Sequence, residues 1–205
     1  MSSVSSARSD KPKTKLLLII FLILFSAYFV YYYFVSGSSD DLADSSSQKI
    51  TSEELREAKN EDFALYIEKI DILAPVIFGV DGTNQKEYLN TLEHGVAHFD
   101  GTSLPGQGGN IFIFGHSSTQ SGKGPYARVF EDIDILEIGD NITTYYQGEQ
   151  FDYIVREKKI VAENNLSVLK DTSSEQLTLM TCWPIGTDEK RIVIIADPKN
   201  QTGYL

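Results

Sequence analysis

The sequence contains a single cysteine, Cys182, among 205 residues, and its three histidines are His94, His98 and His116. One cysteine cannot form a disulfide within the chain, and so few ligand residues, without ligand spacing, do not build a zinc site. No cofactor is expected either, because the glycine-rich segment 106–109 has no Lys-Ser/Thr after it and opens no helix. Any chemistry must therefore come from the chain's own side chains.

Positive charge is also scarce, since 18 Lys and Arg face 29 Asp and Glu for a net charge of -11. The imbalance lies beyond residue 35, because residues 1–15 hold four of the basic residues and only one acidic residue. Nucleic-acid binding requires clustered basic residues that displace counterions, so nucleic acid is excluded as a partner. The acidity favours solubility or the attraction of a cationic or amine-bearing partner, and solubility is the simpler explanation.

One long segment carries no charge at all, namely residues 16–35 with the sequence LLLIIFLILFSAYFVYYYFV. As a helix, this segment would measure about 30 Å, which is the thickness of a bilayer's hydrocarbon core. Tyrosines crowd its C-terminal end and basic residues precede it, which places the N-terminus in the cytoplasm. The alternative is a cleaved signal peptide, but its apolar region is normally shorter and ends at a small-residue cleavage site. We therefore predict a single-pass anchor in the cell membrane, with the body of the protein outside the cell.

The composition divides the chain into four parts. Residues 1–15 are predicted to be a cytoplasmic tail, 16–35 the transmembrane anchor, 36–62 a flexible tether with a short helix, and 63–205 the folded domain. The helix in the tether is predicted from Thr51 and Glu54, which have the spacing of a capping box. From Phe63 onward, short apolar runs alternate with glycine and proline turns at regular spacing. This pattern predicts one all-β barrel or sandwich with one or two short helices.

The lone cysteine lies in the segment 177–196, which reads LTLMTCWPIGTDEKRIVIIA. Its two apolar runs, 177–181 and 191–195, are typical of neighbouring strands, and the loop between them contains proline and glycine. If the two strands pair, Cys182 ends one and Arg191 begins the other, about 4.8 Å apart at the same end of the sheet. A thiol beside a permanent cation favours the thiolate, so we expect a reactive cysteine here.

A nucleophilic cysteine needs a base or an imidazolium partner, and three histidines compete for that role. His94 lies at the end of a predicted helix, 85–93, where it could interact with the terminal carbonyl groups. His98 falls in a predicted loop, where a surface or structural role is expected. His116 follows Gly115 at the end of a short buried strand, which places an imidazole where loops converge on a sheet end. Position alone favours His116 over His98 without deciding between them.

The same residues carry a family resemblance. The sequence TLMTC at 178–182, followed nine residues later by Arg191, resembles the TLxTC…R pattern of sortases, the cysteine transpeptidases of bacterial cell surfaces. The segment Asn110–His116, NIFIFGH, matches the N-x-x-x-x-G-H context of their catalytic histidine. The similarity covers about residues 63–197, and the pair Trp183-Pro184 resembles class D and E sortases more than the pilin-building type. It implies a sortase-like closed β-barrel of about eight strands with one or two short helices, so that residues 63–205 are a sortase catalytic domain.

The resemblance also implies a role for each site residue. Cys182 would attack the backbone carbonyl of a sorting-signal peptide, typically of the LPxTG type, and form a thioacyl intermediate. His116 would pair with the thiolate and, as imidazolium, protonate the departing amine. Arg191 would donate hydrogen bonds to the substrate backbone and to the oxyanion. An amine acceptor, either a peptidoglycan precursor or a pilin lysine, would then resolve the intermediate.

Other interpretations of the sequence remain open at this stage. A calcium site of the class A sortase type would use the acidic side chains at 131, 132 and 134, but in so acidic a chain solvated charge is the better explanation and no metal is expected. An L,D-transpeptidase-like enzyme that cross-links peptidoglycan also uses Cys and His on a β scaffold. Its cysteine lies in an S/T-x-G-C context, however, and Met180-Thr181-Cys182 does not match it. A non-catalytic tethered β-domain with a buried, unreactive thiol is the third possibility.

Overall fold

The computed structural model describes Phe25, Tyr28 and residues 49–118 and 123–199. The predicted cytoplasmic tail, the membrane anchor apart from Phe25 and Tyr28, and residues 36–48 of the tether lie outside these described residues. Among the described residues, we find no helix with the length and apolar character needed to cross a bilayer. The chain divides into two units at Gln48, and the architecture given below is that of the second unit, from Lys49 onward.

The described part of this unit contains eight strands and two α-helices. The strands are β1 (Phe63–Ile67), β2 (Ile72–Val80), β3 (Val96–Phe99), β4 (Asn110–Phe114), β5 (Asn141–Tyr146), β6 (Glu149–Ala162), β7 (Gln176–Trp183) and β8 (Lys190–Pro198). The helices are α1 (Ser52–Ala58) and α2 (Gln85–Thr91), and there are short 3₁₀ turns at Glu68–Ile70, Ile133–Ile135 and Leu166–Leu169. The strands close into a barrel in the order β1-β2-β3-β4-β7-β8-β6-β5. The predicted closed barrel with two short helices is therefore confirmed.

The barrel interior is filled by alternate side chains of its strands. In β4 and β7, Ile111, Ile113, Leu177 and Leu179 are fully buried in one core cluster, and β8 contributes Ile194 to the same cluster. Each such side chain contributes about 1.5–3 kcal/mol through burial. Because the core packing restrains these three strands along their length, the backbone at their ends is held in a defined position.

Helix α1 begins as the sequence predicts. Thr51 Oγ1 accepts a hydrogen bond from the backbone N–H of Glu54 at 3.2 Å, and Glu54 Oε2 accepts one from the backbone N–H of Thr51 at 2.7 Å. This capping box satisfies two backbone donors that the first turn would otherwise leave free. At the other end of the helix, Ala58 packs against Ala64 and Tyr145, which joins the helix to the barrel.

Proline has no backbone N–H to donate to a ladder and is usually confined to edge strands or bulges. Pro75 nevertheless lies in β2, which is flanked by β1 and β3 and is not an edge strand. Pro75 pairs with Ala64 of β1, whereas pairing with β3 starts only at Val76. The missing N–H of proline is tolerated because the residue precedes the β3 ladder. The register of β2 against β3 shifts further along the strand, between Ile77 and Val80.

Glu175 connects three parts of the barrel just before β7 begins. Its Oε2 accepts hydrogen bonds from the backbone N–H groups of Gly106 at 3.0 Å and Gly108 at 3.1 Å. Its Oε1 accepts a hydrogen bond of 2.8 Å from the hydroxyl of Tyr153, which is fully buried. Burial, and then the bond to Glu175, raise the pKa of Tyr153, so the phenol stays protonated and donates. The carboxylate thereby fixes the turn that leads into β4 against β6 and β7.

We expect Glu175→Ala to lower the free energy of unfolding by about 2–3 kcal/mol, because it removes three hydrogen bonds and leaves a buried hydroxyl without its acceptor. Glu175→Gln should cost less, since its amide oxygen still accepts. Urea unfolding followed by circular dichroism measures both values. In a Tyr153→Phe background the cost of Glu175→Ala should be smaller, and identical costs in the two backgrounds would contradict the coupling.

Candidate active site

The ends of β4 and β7 bring His116 and Cys182 together. The two strands run parallel, and their register places Phe114 beside Met180. Continued by two residues, this register places His116 beside Cys182. The contact between these two segments extends past the paired residues, because the Gly115 N–H donates to the Met180 carbonyl at 3.2 Å. The Thr181 hydroxyl donates to the Gly115 carbonyl at 2.7 Å.

The β7–β8 hairpin adds Arg191 to the same end of the barrel. The two strands are antiparallel, and Cys182 and Arg191 are directly opposite partners in their register. The loop between the strands turns at Pro184, whose carbonyl accepts hydrogen bonds from the backbone N–H and the hydroxyl of Thr187, both at 2.9 Å. The predicted arrangement of thiol and guanidinium on adjacent strands is therefore the observed one.

His116, Cys182 and Arg191 line a single cavity of about 340 Å³. This volume lies in the range of sites that bury a small ligand or part of a peptide. The remainder of the wall is largely apolar and comes from α2, β4 and the 3₁₀ turn before β7, including Tyr88, Leu89, Leu92, Phe112, Phe114 and Leu166. An apolar cavity with a few polar groups at one point favours a ligand that has apolar side chains and a single polar group at the reaction centre, such as a peptide bond.

The other two histidines are not part of this cavity wall. His98 lies on β3 and is 1% exposed, so the prediction that it sits in a loop is wrong. Its Nε2 lies 2.9 Å from the Ser103 carbonyl oxygen, and its ring stacks on that of Phe78 with centroids 5.3 Å apart. The predicted structural role of His98 agrees with these contacts. His94 is exposed and follows the end of α2.

Backbone packing explains why a glycine precedes His116. A Cβ atom at Gly115 would lie 2.9 Å from the ring of Phe130 and 3.1 Å from Val129. The backbone N–H of Phe130 also donates to the His116 carbonyl at 2.9 Å. The segment around Phe130, itself fully buried, therefore supports the end of β4 and fixes the backbone from which the imidazole extends.

The guanidinium of Arg191 is held by three hydrogen bonds. Its Nη1 donates to the backbone carbonyls of Asp188 and Lys190, each at 2.9 Å. Its Nη2 donates to Glu163 Oε1 at 2.8 Å and forms an ion pair with it. Sequence reasoning did not identify Glu163. It directly follows β6, and nothing in the sequence showed that β6 pairs with β8, where Arg191 lies.

Burial dominates the protonation of the two reactive groups. It raises the pKa of the Cys182 thiol above its ordinary value of 9.0, against the lowering effect of Arg191, while Asp188 and Glu163 raise the pKa further. The arginine acts in the predicted direction, but burial outweighs it. Burial also lowers the pKa of His116 below its ordinary value of 6.5. At neutral pH the resting pair is therefore a thiol and a neutral imidazole, and the thiolate–imidazolium form is a minor one.

These pKa shifts predict the pH profile of thiol labelling. The rate with iodoacetamide follows the thiolate, so it should continue to rise above pH 9.0 instead of reaching a plateau near neutral pH. This rate is measured by quenching the labelling reaction at set times and quantifying the product by mass spectrometry, between pH 6 and 10.5 (roughly the range in which thiol and imidazole titrate). The matched reference is N-acetylcysteine amide, which has no charged group beside the thiol and should level off at lower pH. A plateau already reached near pH 7, as for a strongly activated thiolate, would contradict the dominance of burial.

Comparison with known proteins identifies the family. The family model described as "Sortase domain" matches residues 65–199. Sortase D of Bacillus subtilis (strain 168) is 30% identical over 134 residues, which cover 63% of this chain and 60% of that protein. Sortase A of Bacillus anthracis is 29% identical over 89 residues, covering 43% of this chain and 40% of that protein. This chain thus spans about 60% or less of the length of these curated relatives.

A solved structure agrees with this family. The structure of a Clostridium perfringens sortase D5 transpeptidase matches with a TM-score of 0.56 and 26% sequence identity, over 74% of this chain and 90% of that one. The barrel with a cysteine, a histidine and an arginine at one end thus defines the class of protein. The chain belongs to the sortase family, a family of cysteine transpeptidases.

Proposed function

We propose that this protein is a membrane-anchored sortase that cleaves an LPxTG-type sorting signal through a thioacyl intermediate on Cys182 and transfers the signal-bearing protein to an amine on the cell envelope. One observation carries the proposal. The register of β4, β7 and β8 gathers His116, Cys182 and Arg191 at one end of the barrel, and all three line the same largely apolar cavity. This is the set of groups that acyl transfer from a peptide needs: a nucleophile, an acid–base partner and an oxyanion donor.

The first half of the reaction forms the acyl-enzyme. The reactive form is the thiolate–imidazolium form of Cys182 and His116. The Cys182 thiolate attacks the carbon of the scissile carbonyl group, and the carbonyl oxygen becomes an oxyanion that accepts hydrogen bonds from Arg191. The guanidinium suits this role because it stays charged at every working pH. As the C–N bond breaks, the His116 imidazolium gives its proton to the departing amine. The products are a thioester on Cys182, a free amine and a neutral imidazole.

The second half releases the product. An acceptor amine attacks the thioester carbonyl, and neutral His116 takes the proton that this amine loses. Arg191 again stabilises the oxyanion, and the Cys182 thiolate leaves as the new amide forms. Thiolates are good leaving groups, which makes the thioester a suitable intermediate for transfer to an amine. The imidazolium–thiolate pair is restored at the end of the cycle.

The finer parts of the proposal have separate support. The uncharged residues 16–35 support an anchor whose catalytic domain lies outside the cell. The apolar wall of the cavity supports a substrate that has apolar residues on the N-terminal side of the scissile bond, such as the Leu-Pro of an LPxTG motif. A class D-like subclass is supported by Trp183-Pro184 and by the similarity to sortase D of Bacillus subtilis. The acceptor is proposed only as an amine, from a peptidoglycan precursor or a pilin lysine.

The test uses the purified full-length chain in detergent micelles with a library of LPxTG-type peptides and a short glycine peptide as acceptor. Mass spectrometry should detect the peptide cut between the fourth and fifth residues of the motif and joined to the acceptor. If no library member yields a transfer product, the proposed function is wrong. New cross-links between peptidoglycan stems, produced from purified muropeptides, would instead indicate an L,D-transpeptidase-like activity.

A further inference from the structure

Glu163 provides the one side-chain hydrogen bond to the guanidinium of Arg191 that we find in the described part of the chain. The distance from Arg191 Nη2 to Glu163 Oε1 is 2.8 Å, and the other two bonds of the guanidinium go to backbone carbonyls of the β7–β8 loop. Glu163 directly follows β6, which pairs with β8 with Val161 opposite Arg191. The contact therefore joins the end of β6 to the start of β8 beside the cavity, and both side chains line that cavity.

The surroundings of the two charges are unequal. The side chain of Arg191 is 15% exposed, whereas that of Glu163 is 59% exposed. A guanidinium that has lost most of its water depends on protein acceptors for its orientation, so this bond matters more than one between two exposed charges. The carboxylate itself remains largely solvated and loses little by pairing.

The number of hydrogen bonds leaves room for a substrate. A guanidinium has five N–H donors, and the described contacts of Arg191 use three of them. Because both Nη1 donors are committed to the loop and one Nη2 donor to Glu163, rotation of the planar group is restricted from two sides. The remaining donors can then bind a carbonyl or an oxyanion without first giving up an internal bond.

We propose that Glu163 is a positioning residue of the acyl-transfer reaction, which holds the guanidinium of Arg191 at the cavity wall through its bond to Nη2. The inference rests on the proposed function, in which Arg191 stabilises the oxyanion. It also has a consequence that is independent of substrate, because Glu163 opposes the effect of Arg191 on the thiol. Removal of the carboxylate should loosen the arginine and at the same time make the thiolate easier to form.

The experiment compares Glu163→Ala and Glu163→Gln with the wild type in the full-length chain. Two quantities are measured: kcat/KM for peptide transfer to the acceptor amine, and the pH profile of iodoacetamide labelling without substrate. Glu157→Gln is the matched control, because Glu157 lies on β6, the strand that Glu163 follows, and pairs with Lys159 at 3.1 Å, away from the cavity wall. The thermal midpoint of each variant is recorded so that a loss of fold is recognised.

We expect Glu163→Ala to lower kcat/KM about tenfold, mainly through kcat, because the misplaced donor acts in the transition state. Glu163→Gln should recover most of this loss, since its amide oxygen can accept from Nη2. Both variants should shift the labelling profile towards lower pH, because each removes a negative charge near the thiol. Glu157→Gln should match the wild type in both measurements.

Wild-type kcat/KM in Glu163→Ala would overturn the inference, whether or not its labelling profile moves. Equal losses in Glu163→Ala and Glu163→Gln would also overturn it, because the positioning bond is retained only by glutamine. If the wild type transfers no peptide, the proposed function fails on its own. The pH profile of iodoacetamide labelling then tests the inference. An unchanged profile in both Glu163→Ala and Glu163→Gln would contradict it. If Glu163→Ala does not fold, the labelling profiles of Glu163→Gln and Glu157→Gln are compared instead. The inference requires a shift to lower pH in Glu163→Gln alone.

Discussion

Replacement of Cys182 by alanine is expected to abolish peptide transfer, with a loss of at least about 10⁴-fold in kcat. The loss is this large because the proposed route forms its covalent intermediate on Sγ, and no second cysteine exists in the chain to take over. Binding should survive, since the apolar wall of the cavity is unchanged. The variant should therefore bind a sorting peptide with an affinity near that of the wild type.

Two measurements check this prediction. Transfer is followed by chromatography of the peptide products, and the intermediate is sought by intact-mass spectrometry after mixing with peptide in the absence of acceptor. The wild type should gain the mass of the acyl fragment and the alanine variant should not. Cys182→Ser is the matched control, because it keeps a similar shape and a hydroxyl that is a far weaker nucleophile at neutral pH. Transfer by the alanine variant at more than a few per cent of the wild-type rate would place the nucleophile elsewhere.

The sequence predicted those parts of the fold that depend on local patterns. The two runs around Cys182 gave the β7–β8 hairpin because the strands are close in sequence, and the observed register sets Cys182 opposite Arg191. The capping box of α1 was predicted for the same reason, since its two partners lie three residues apart. In both cases the interaction is local, so the residue types and their spacing carry the information.

The sequence did not show the contacts that join distant segments. The parallel pairing of Asn110 with Gln176, which sets His116 beside Cys182, closes a loop of more than sixty residues. From the residues alone, His98 in a predicted loop and His116 at the end of a predicted buried strand remained competitors, because neither position shows which imidazole lies near Cys182. The difference arises in the barrel, where β3 buries His98 against Phe78 while β4 ends before His116 and releases it into the cavity.

Glu163 was missed for a related reason. Its partner is 28 residues away, and the strand pair that brings them together, β6 with β8, is not apparent from either strand's sequence. In a chain with 29 acidic residues, a carboxylate after a strand is most simply explained as solvated charge. Only the paired structure distinguishes this carboxylate from the others.

Replacement of His116 by alanine is the second change with a very large expected effect, a loss of about 10²–10⁴-fold in kcat/KM for transfer. Burial lowers the pKa of His116 and raises that of Cys182, so the reactive thiolate–imidazolium pair is scarce at neutral pH. Once formed, however, its imidazolium is an acid strong enough to protonate an amine as the amide bond breaks. Without that proton the amine is a very poor leaving group, and the tetrahedral intermediate returns to substrate.

Thiol labelling separates this role from a general effect on the cysteine. Iodide leaves iodoacetamide without a proton, so at pH values above the thiol pKa the His116→Ala variant should be labelled at close to the wild-type rate. The same variant should show its large defect in transfer at every pH. His94→Gln is the matched control, because His94 is an exposed histidine outside the cavity wall and should behave as the wild type in both assays. Equal losses in labelling and transfer for His116→Ala would mean that the imidazole serves the thiolate alone, whereas transfer at the wild-type rate would remove it from the mechanism. The imidazole is available for this role because β4 and β7 run parallel with Phe114 beside Met180, and His116 follows β4 by two residues at the level of Cys182.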